Sequence, residues 1–383
     1  MRTLYRNAHV ISPGVDIVGG SVLATDGRIS QVTMPSMTLP SADAEIDCGG
    51  LMLLPGFIDV HAHGRSGVDF TDPDPSAIVT MTRDKRKDGV TSLLVTTLTL
   101  SFEELEVCCK NAAAVMNNPD ADGARILGMH LEGPYINPTK AGAQNPNFLR
   151  NPDFLEVMAL NAICPVRKVT FAPELPGAMD FAQRLRGAGI VPSVSHSEAD
   201  YETMLEALRN GVRDFSHFCN TITPMHHLAF GAVGAGLEID DFNLELIGDK
   251  FHIQPPMLRF IFKVKNIERL QLITDAMRAS GLGDGPSVLG GLEVIVKDGI
   301  ARVASTGAVA GSTLLYNQGL KNLYEVTGLP LKELVKVTSW NQARTLGFPD
   351  LGRIELGYRA DFVLIDKNFN VKETWIAKDC PAP

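Results

Sequence analysis

The sequence predicts an α/β protein: a (β/α)8 TIM-type barrel with a small β-sandwich domain built from its two ends. Three observations carry that prediction. Eight short apolar runs recur between residues 57 and 274, with helical patterns between most of them. The segments on either side of that stretch alternate apolar and polar residues between Gly, Pro and Asp-Gly breaks. No Gly-rich phosphate loop follows the first run, as an open doubly wound sheet would more often carry.

The elements follow in chain order. "TLYRNAHVI", "GSVLATDGRISQVT" and "AEIDCGGLMLL" are short alternating runs, so residues 1–54 are read as the first part of the β domain. The barrel is assigned to 55–350, with strands at 57–61, 91–96, 126–131, 168–172, 190–195, 212–216, 244–248 and 270–274. Helical patterns at 75–88, 101–117, 177–187, 199–210 and 254–266 separate them. Near-continuous apolar strands alternating with helices mean a parallel sheet covered on both faces, and eight such units fit a closed barrel. "GGLEVIVKDGIARVA" then reads as a hairpin turning at Asp298-Gly299, followed by helices near 313–326 and 330–345. The end, residues 351–383, is β again and is read as the second part of the small domain.

The bulk properties exclude some partners. Among 383 residues, 35 basic and 44 acidic side chains leave a net charge of −9, the opposite of a nucleic-acid footprint. The first twenty residues hold no uninterrupted apolar core of a secretory signal, and no apolar run is long enough to span a membrane. The six cysteines (48, 108, 109, 164, 219 and 380) show no CxxC spacing. A cytoplasmic protein with reduced thiols is the expectation.

Chemistry in such a barrel sits at the C-terminal ends of the strands, so the polar residues there matter most. In "FIDVHAHG", alternation sends His61 and His63 to the same side of the first strand end. Glu132 lies just past the end of the third strand in "HLEGP", His196 follows the fifth, His217 the sixth, and Asp275 ends the eighth in "LITDAM". Four of the chain's nine histidines thus meet two carboxylates at the ends of five strands. Imidazole with carboxylate suits a divalent metal, zinc foremost, with iron, manganese and cobalt also suited. Such an ion lowers the pKa of water toward about 7, and Asp275 is then placed to act as base and acid.

These residues, in this order, resemble the N-acetylglucosamine-6-phosphate deacetylases of the amidohydrolase superfamily. "LLPGFIDVHAHG", "HLEGPYINPTKAGAQNP", "VSHSEAD", "SHFCNTITPMHH", "LITDAM", "AGSTL" and "IELGYRADFVLID" each look like a block of that family. The resemblance implies metal-dependent removal of acetate from an N-acetyl amino sugar phosphate by a homodimer. It implies a main metal held by Glu132, His196 and His217, a second bridged by Glu132 to His61 and His63, so one or two ions per subunit, and Asp275 as acid/base. By position it implies substrate contacts at Ala143, Asn220, Thr221, His252 and the segment Val309, Ala310, Gly311.

One block departs from the family. Where its loop carries a phosphate-binding arginine, this chain reads "MHHLAFG", with Leu228 at the arginine's place. Leucine supplies no charge-assisted contact. Lys250, Lys140 and Arg278 are the candidate replacement cations. A second reading keeps the chemistry but takes an unphosphorylated or different N-acyl sugar. Two further readings are a cyclic-amide hydrolase, disfavoured because the fourth strand runs into "APE" with no lysine to bridge metals, and a metal-binding protein without catalysis, disfavoured by Asp275.

Overall fold

The computed structural model describes residues 1–377; Cys380 and the last residues of the 351–383 segment lie outside the described residues. Eight parallel strands form the central sheet: β1 (Phe57–Asp59), β2 (Val90–Thr97), β3 (Arg125–Glu132), β4 (Val166–Phe171), β5 (Val191–Val194), β6 (Asp214–Phe215), β7 (Asn243–Ile247) and β8 (Leu270–Ile273). Each pairs with its neighbours in chain order. Strand β2 is buried along its whole length, as a strand covered on both faces must be. The expected runs at 57–61 and 212–216 are shorter as strands, because the chain turns inward just before the residues it delivers to the site.

The helices 76–87, 102–117, 178–187, 201–209 and 255–264 lie where their periodicity puts them. Ser101 and Glu104 form a capping box on the second of these. Two more helices carry no such signal in the sequence. Phe154–Ile163 is apolar on most sides, and Gly231–Glu238 holds three glycines that argue for a loop. Packing decides the second case: a Cβ at Gly236 would come within 2.4 Å of the Phe218 ring, so only glycine lets the helix sit this close to the barrel.

The two chain ends meet in one seven-stranded sheet. Strand Met52–Pro55 lies at its centre, parallel to Arg2–Ser12 and antiparallel to Phe362–Ile365. Six of its strands run in one hydrogen-bonded path, with Ala44–Asp47 pairing Arg2–Ser12 off it, over an apolar core that includes Tyr5, Val22, Leu53 and Phe362. The Asp298-Gly299 hairpin is present, with both residues at positive φ, as a tight turn between twisted strands requires. It gains a third strand, Gly285–Leu289, and this small sheet covers Leu98 and Met277 beside the barrel mouth.

The barrel closes where β1 meets β8. Asp275 N–H donates to the His61 carbonyl at 2.9 Å, and His63 and Gly64 N–H groups donate to the Ala276 carbonyl. Below them Asp59 accepts from Lys85 Nζ at 2.7 Å and from the Thr274 hydroxyl at 2.6 Å, all three side chains being fully buried. Gly64 is required at this seam, since a Cβ there would lie 2.6 Å from Arg278 N. Removing one partner of a buried ion pair leaves the other uncompensated. Asp59→Asn is therefore expected to lower stability by about 3–5 kcal/mol, read as a reduced midpoint in denaturant melts. A loss below about 1 kcal/mol would mean the seam does not depend on this pair.

Candidate active site

The site is assembled from strand ends by residues in unusual backbone conformations. Glu132 is the last residue of β3. His196, His217 and Asp275 follow β5, β6 and β8 with φ of +48°, +29° and +48°, and Cys219 and Thr221 are also left-handed. Such conformations cost roughly 1–3 kcal/mol each and persist where the surroundings over-determine them. Here they turn the side chains over the barrel mouth instead of letting the strands run on.

Glu132 lies at the centre. Its Oε1 is 2.8 Å from His217 Nε2, 3.3 Å from His61 Nε2 and 3.6 Å from His196 Nε2, while its Oε2 is 3.2 Å from His63 Nε2. Asp275 Oδ1 stands 3.2 Å from His63 Nε2 and 3.6 Å from His61 Nε2. Two donor groups result, His61–His63–Glu132 and Glu132–His196–His217, each with its ligand atoms within 4.8 Å of one another and every residue buried. All six strand-end residues named from the sequence are thus brought together.

The far side of the rings fixes their tautomers. His61 Nδ1 faces Glu245 Oε2 at 3.0 Å, and His196 Nδ1 faces the Lys140 carbonyl at 2.7 Å. Those oxygens only accept, so the Nδ1 atoms carry protons and Nε2 is the atom each ring turns toward Glu132. His61 Nε2 is buried without a hydrogen-bond partner among the described residues, and the Nε2 atoms of His196 and His217 face each other at 3.2 Å. Converging lone pairs beside carboxylates fit a divalent cation.

The electrostatics agree. Burial pulls His61 down, yet Glu132 and Asp275 hold it well above its ordinary value, and His63 rises to about 9 beside Asp275 and Glu132 despite the same burial. Burial pushes Glu132 and Asp275 up, but the imidazoles hold both below the usual carboxylate range. The site is a sink for positive charge.

Several supporting residues were not singled out from the sequence. Glu245, on β7, holds His61 and is itself paired with Lys168, which also pairs with Asp214; all three are buried inside the barrel. Burial disfavours the charged Glu245, and the Lys168 ammonium nevertheless keeps it below its ordinary value. Gln144 donates to Glu132 Oε2 at 2.6 Å and accepts from Thr99 N–H, and Ser195 Oγ lies 3.1 Å from His217 Nδ1. For Glu245 and Lys168 the signal was present: a charged residue within or at the start of an otherwise apolar run, as in "LELIG" and "KVTFA". His130 is also buried, its ring centroid 4.6 Å from that of His61 in a T-shaped contact, but it faces the Thr170 hydroxyl at 2.7 Å.

A cleft of about 200 Å³ opens onto this cluster. Ala143, Asn220, Thr221, His252, Val309 and Gly311 line it, together with Leu98, Leu289 and Ala308. Ala310 lies behind the wall, fully buried in the core of the small sheet. Asp249 Oδ2 holds His252 Nδ1 at 2.6 Å, which leaves Nε2 for a ligand. The three candidate cations are not in the lining. Lys250 pairs with Glu325 at 2.7 Å and Arg278 with Asp72 at 2.7 Å, while Lys140 contributes its carbonyl to His196. Leu228 sits 83% exposed in a turn closed between His226 and Ala229, beside a separate groove with Tyr201 and Phe230.

Comparisons with known proteins agree with this geometry. A model of the Amidohydrolase family matches residues 291–378. The N-acetylglucosamine-6-phosphate deacetylase of Lysinibacillus sphaericus is 34% identical over 97% of this chain and 95% of its own length. The N-acetylgalactosamine-6-phosphate deacetylase of Escherichia coli O157:H7 is 34% identical over 92% of each chain. Among solved structures, a mutant N-acetyl-D-glucosamine-6-phosphate deacetylase from Mycobacterium smegmatis, in complex with N-acetyl-D-glucosamine-6-phosphate, superposes with a TM-score of 0.90 over 98% of both chains at 31% identity.

Residues that orient metal-ligating histidines typically change metal affinity 10–100-fold when altered. Glu245→Gln is expected to retain its bound metal about 10–100-fold less tightly in competition with a chelator, with metal content as the readout. Unchanged retention would remove Glu245 from the site.

Proposed function

The chain belongs to the N-acetylglucosamine-6-phosphate deacetylase family of amidohydrolases, and on that premise we propose that it hydrolyses the N-acetyl amide of N-acetylglucosamine 6-phosphate to the free amine and acetate. The observation that carries this reading is the Asp275 carboxylate, which overlooks the cleft beside both histidine–Glu132 groups. Glu132, His196 and His217 would hold one divalent ion, and His61 and His63 with Glu132 a second; the donor set suits zinc. A divalent ion held there supplies Lewis acidity to the amide carbonyl and acidity to water.

The chain's own residues do the rest. Asp275, ionised beside His63, takes the proton of the attacking water and delivers it to the leaving nitrogen, since an amine departs only once protonated. His252, anchored by Asp249, offers Nε2 to the substrate from the opposite loop. Asn220, Thr221 and the segment 309–311 supply backbone groups to sugar hydroxyls. Leu98, Leu289 and Val309 give the cleft an apolar wall against which the acyl methyl can leave water.

The 6-phosphate substrates in the relatives' names support a phosphorylated sugar over the unphosphorylated alternative that Leu228 raised. A homodimer belongs to the same reading, with exposed Met225, Leu228 and Phe230 as an apolar face for a second copy. Among the described residues no helix is long and apolar enough to cross a membrane.

Two measurements test the proposal. The zinc-loaded protein is expected to show higher kcat/KM on N-acetylglucosamine 6-phosphate than on N-acetylglucosamine; turnover of neither would sink it. Asp275→Asn is expected to keep fold and metal but lose roughly 10²–10⁴ in kcat. Near-full activity in that variant would end the acid/base assignment.

A further inference from the structure

The cleft lining contains no lysine or arginine, yet the substrate of the proposed reaction carries a dianionic phosphate. A cation must stand at the mouth, beyond the lining residues. Lys250 and Arg278 are already committed to Glu325 and Asp72. Arg302, which the sequence did not point to, is differently placed. It lies on Ile300–Val303, the edge strand of the small sheet beside the barrel mouth, where Ala301 and Val303 turn inward and Arg302 turns out to solvent.

Its neighbours are the two loops that frame the cleft. The Arg302 backbone bridges to Val309, and its Nη1 donates to the Gly307 carbonyl at 2.9 Å. Its guanidinium lies over the Phe251 ring, 5.4 Å from the centroid, and that ring meets His252 edge-on at 5.8 Å. Both Val309 and His252 line the cleft. The partners of the guanidinium are thus a carbonyl and an aromatic face, and no ion pair among the described residues involves it. One bond to Gly307 leaves four of its five N–H donors for a ligand, and stacking on Phe251 restricts the side chain before any ligand arrives.

We propose that Arg302, stacked on Phe251, is the phosphate anchor of this site, supplied by the same chain whose acetyl-cleaving residues it serves. The assignment rests on the deacetylase reading for the identity of the sugar, and on geometry alone for the phosphate. A planar guanidinium takes two phosphate oxygens at once. It replaces in function what Leu228 cannot provide.

The test is calorimetric binding of glucosamine 6-phosphate to the metal-loaded protein, with kcat/KM on N-acetylglucosamine 6-phosphate and N-acetylglucosamine alongside. Arg302→Met is expected to weaken glucosamine 6-phosphate binding roughly 10–100-fold, to raise KM for the phosphorylated substrate similarly, and to leave kcat/KM on the unphosphorylated sugar unchanged. Arg302→Lys should recover part of the affinity. Lys250→Met should stay within about 2-fold of the parent, because its charge is spent on Glu325. Unchanged binding in Arg302→Met, equal losses on both sugars, or no binding by the parent protein overturns the anchor. Arg302-dependent binding without hydrolysis of either sugar instead refutes the deacetylase reading and leaves the anchor standing.

Discussion

Asp59 accepts one hydrogen bond from Lys85 and another from Thr274 in a place no water reaches, and that contact joins the first barrel strand to the last. An eight-stranded parallel sheet has two edges until something closes it, and exposed edges leave backbone groups unpaired. Here closure is made by three backbone bonds between 61–64 and 275–276 and by the buried triad beneath them. Register at this seam matters more than elsewhere. A slip by one residue would turn His61 and His63 to the outer face and separate them from Asp275. The ion pair costs desolvation to bury; what it secures is one alignment of two strands far apart in sequence.

From that alignment the site follows as layers. Glu132 touches all four histidines, so its position is determined from the ends of three other strands at once. Around it lie groups that only accept from, or only donate to, the innermost residues: Glu245 behind His61, the Lys140 carbonyl behind His196, Gln144 behind Glu132. In a deeper layer Lys168 pairs with both Glu245 and Asp214. The strained turns at His196, His217 and Asp275 hold because each ring or carboxylate is held at its far end too. Rigid strands thereby carry the chemistry with little freedom for it to drift.

The loops obey a looser rule. The cleft walls are built on segments after strands β6, β7 and β8 and on the small sheet, where sequence can change without disturbing the barrel. The loop with Leu228 is an exposed turn with Leu228 and Phe230 at its surface, while the edge of the small sheet presents Arg302 beside Phe251. The buried donor groups and the walls of the mouth are thus borne by different elements.

The eight strands, their order and the six polar residues at their ends were legible in the sequence. Apolar runs, two-residue alternation and the choice of His, Glu and Asp are local properties, and a parallel β/α chain carries each strand end to the same rim. The tertiary structure alone decided which carboxylate faces which lysine. Lys85 meets Asp59 and Thr274 across the seam, Lys168 meets Asp214 and Glu245 across the interior, and Lys250 and Arg278 are drawn away by Glu325 and Asp72. It also decided that the glycine-rich stretch 231–238 is a helix, because at Gly236 the space against Phe218 admits nothing larger. A charge in a sequence has many potential partners. Only the packed fold, by bringing distant residues within hydrogen-bond reach and shutting water out, selects the one it keeps.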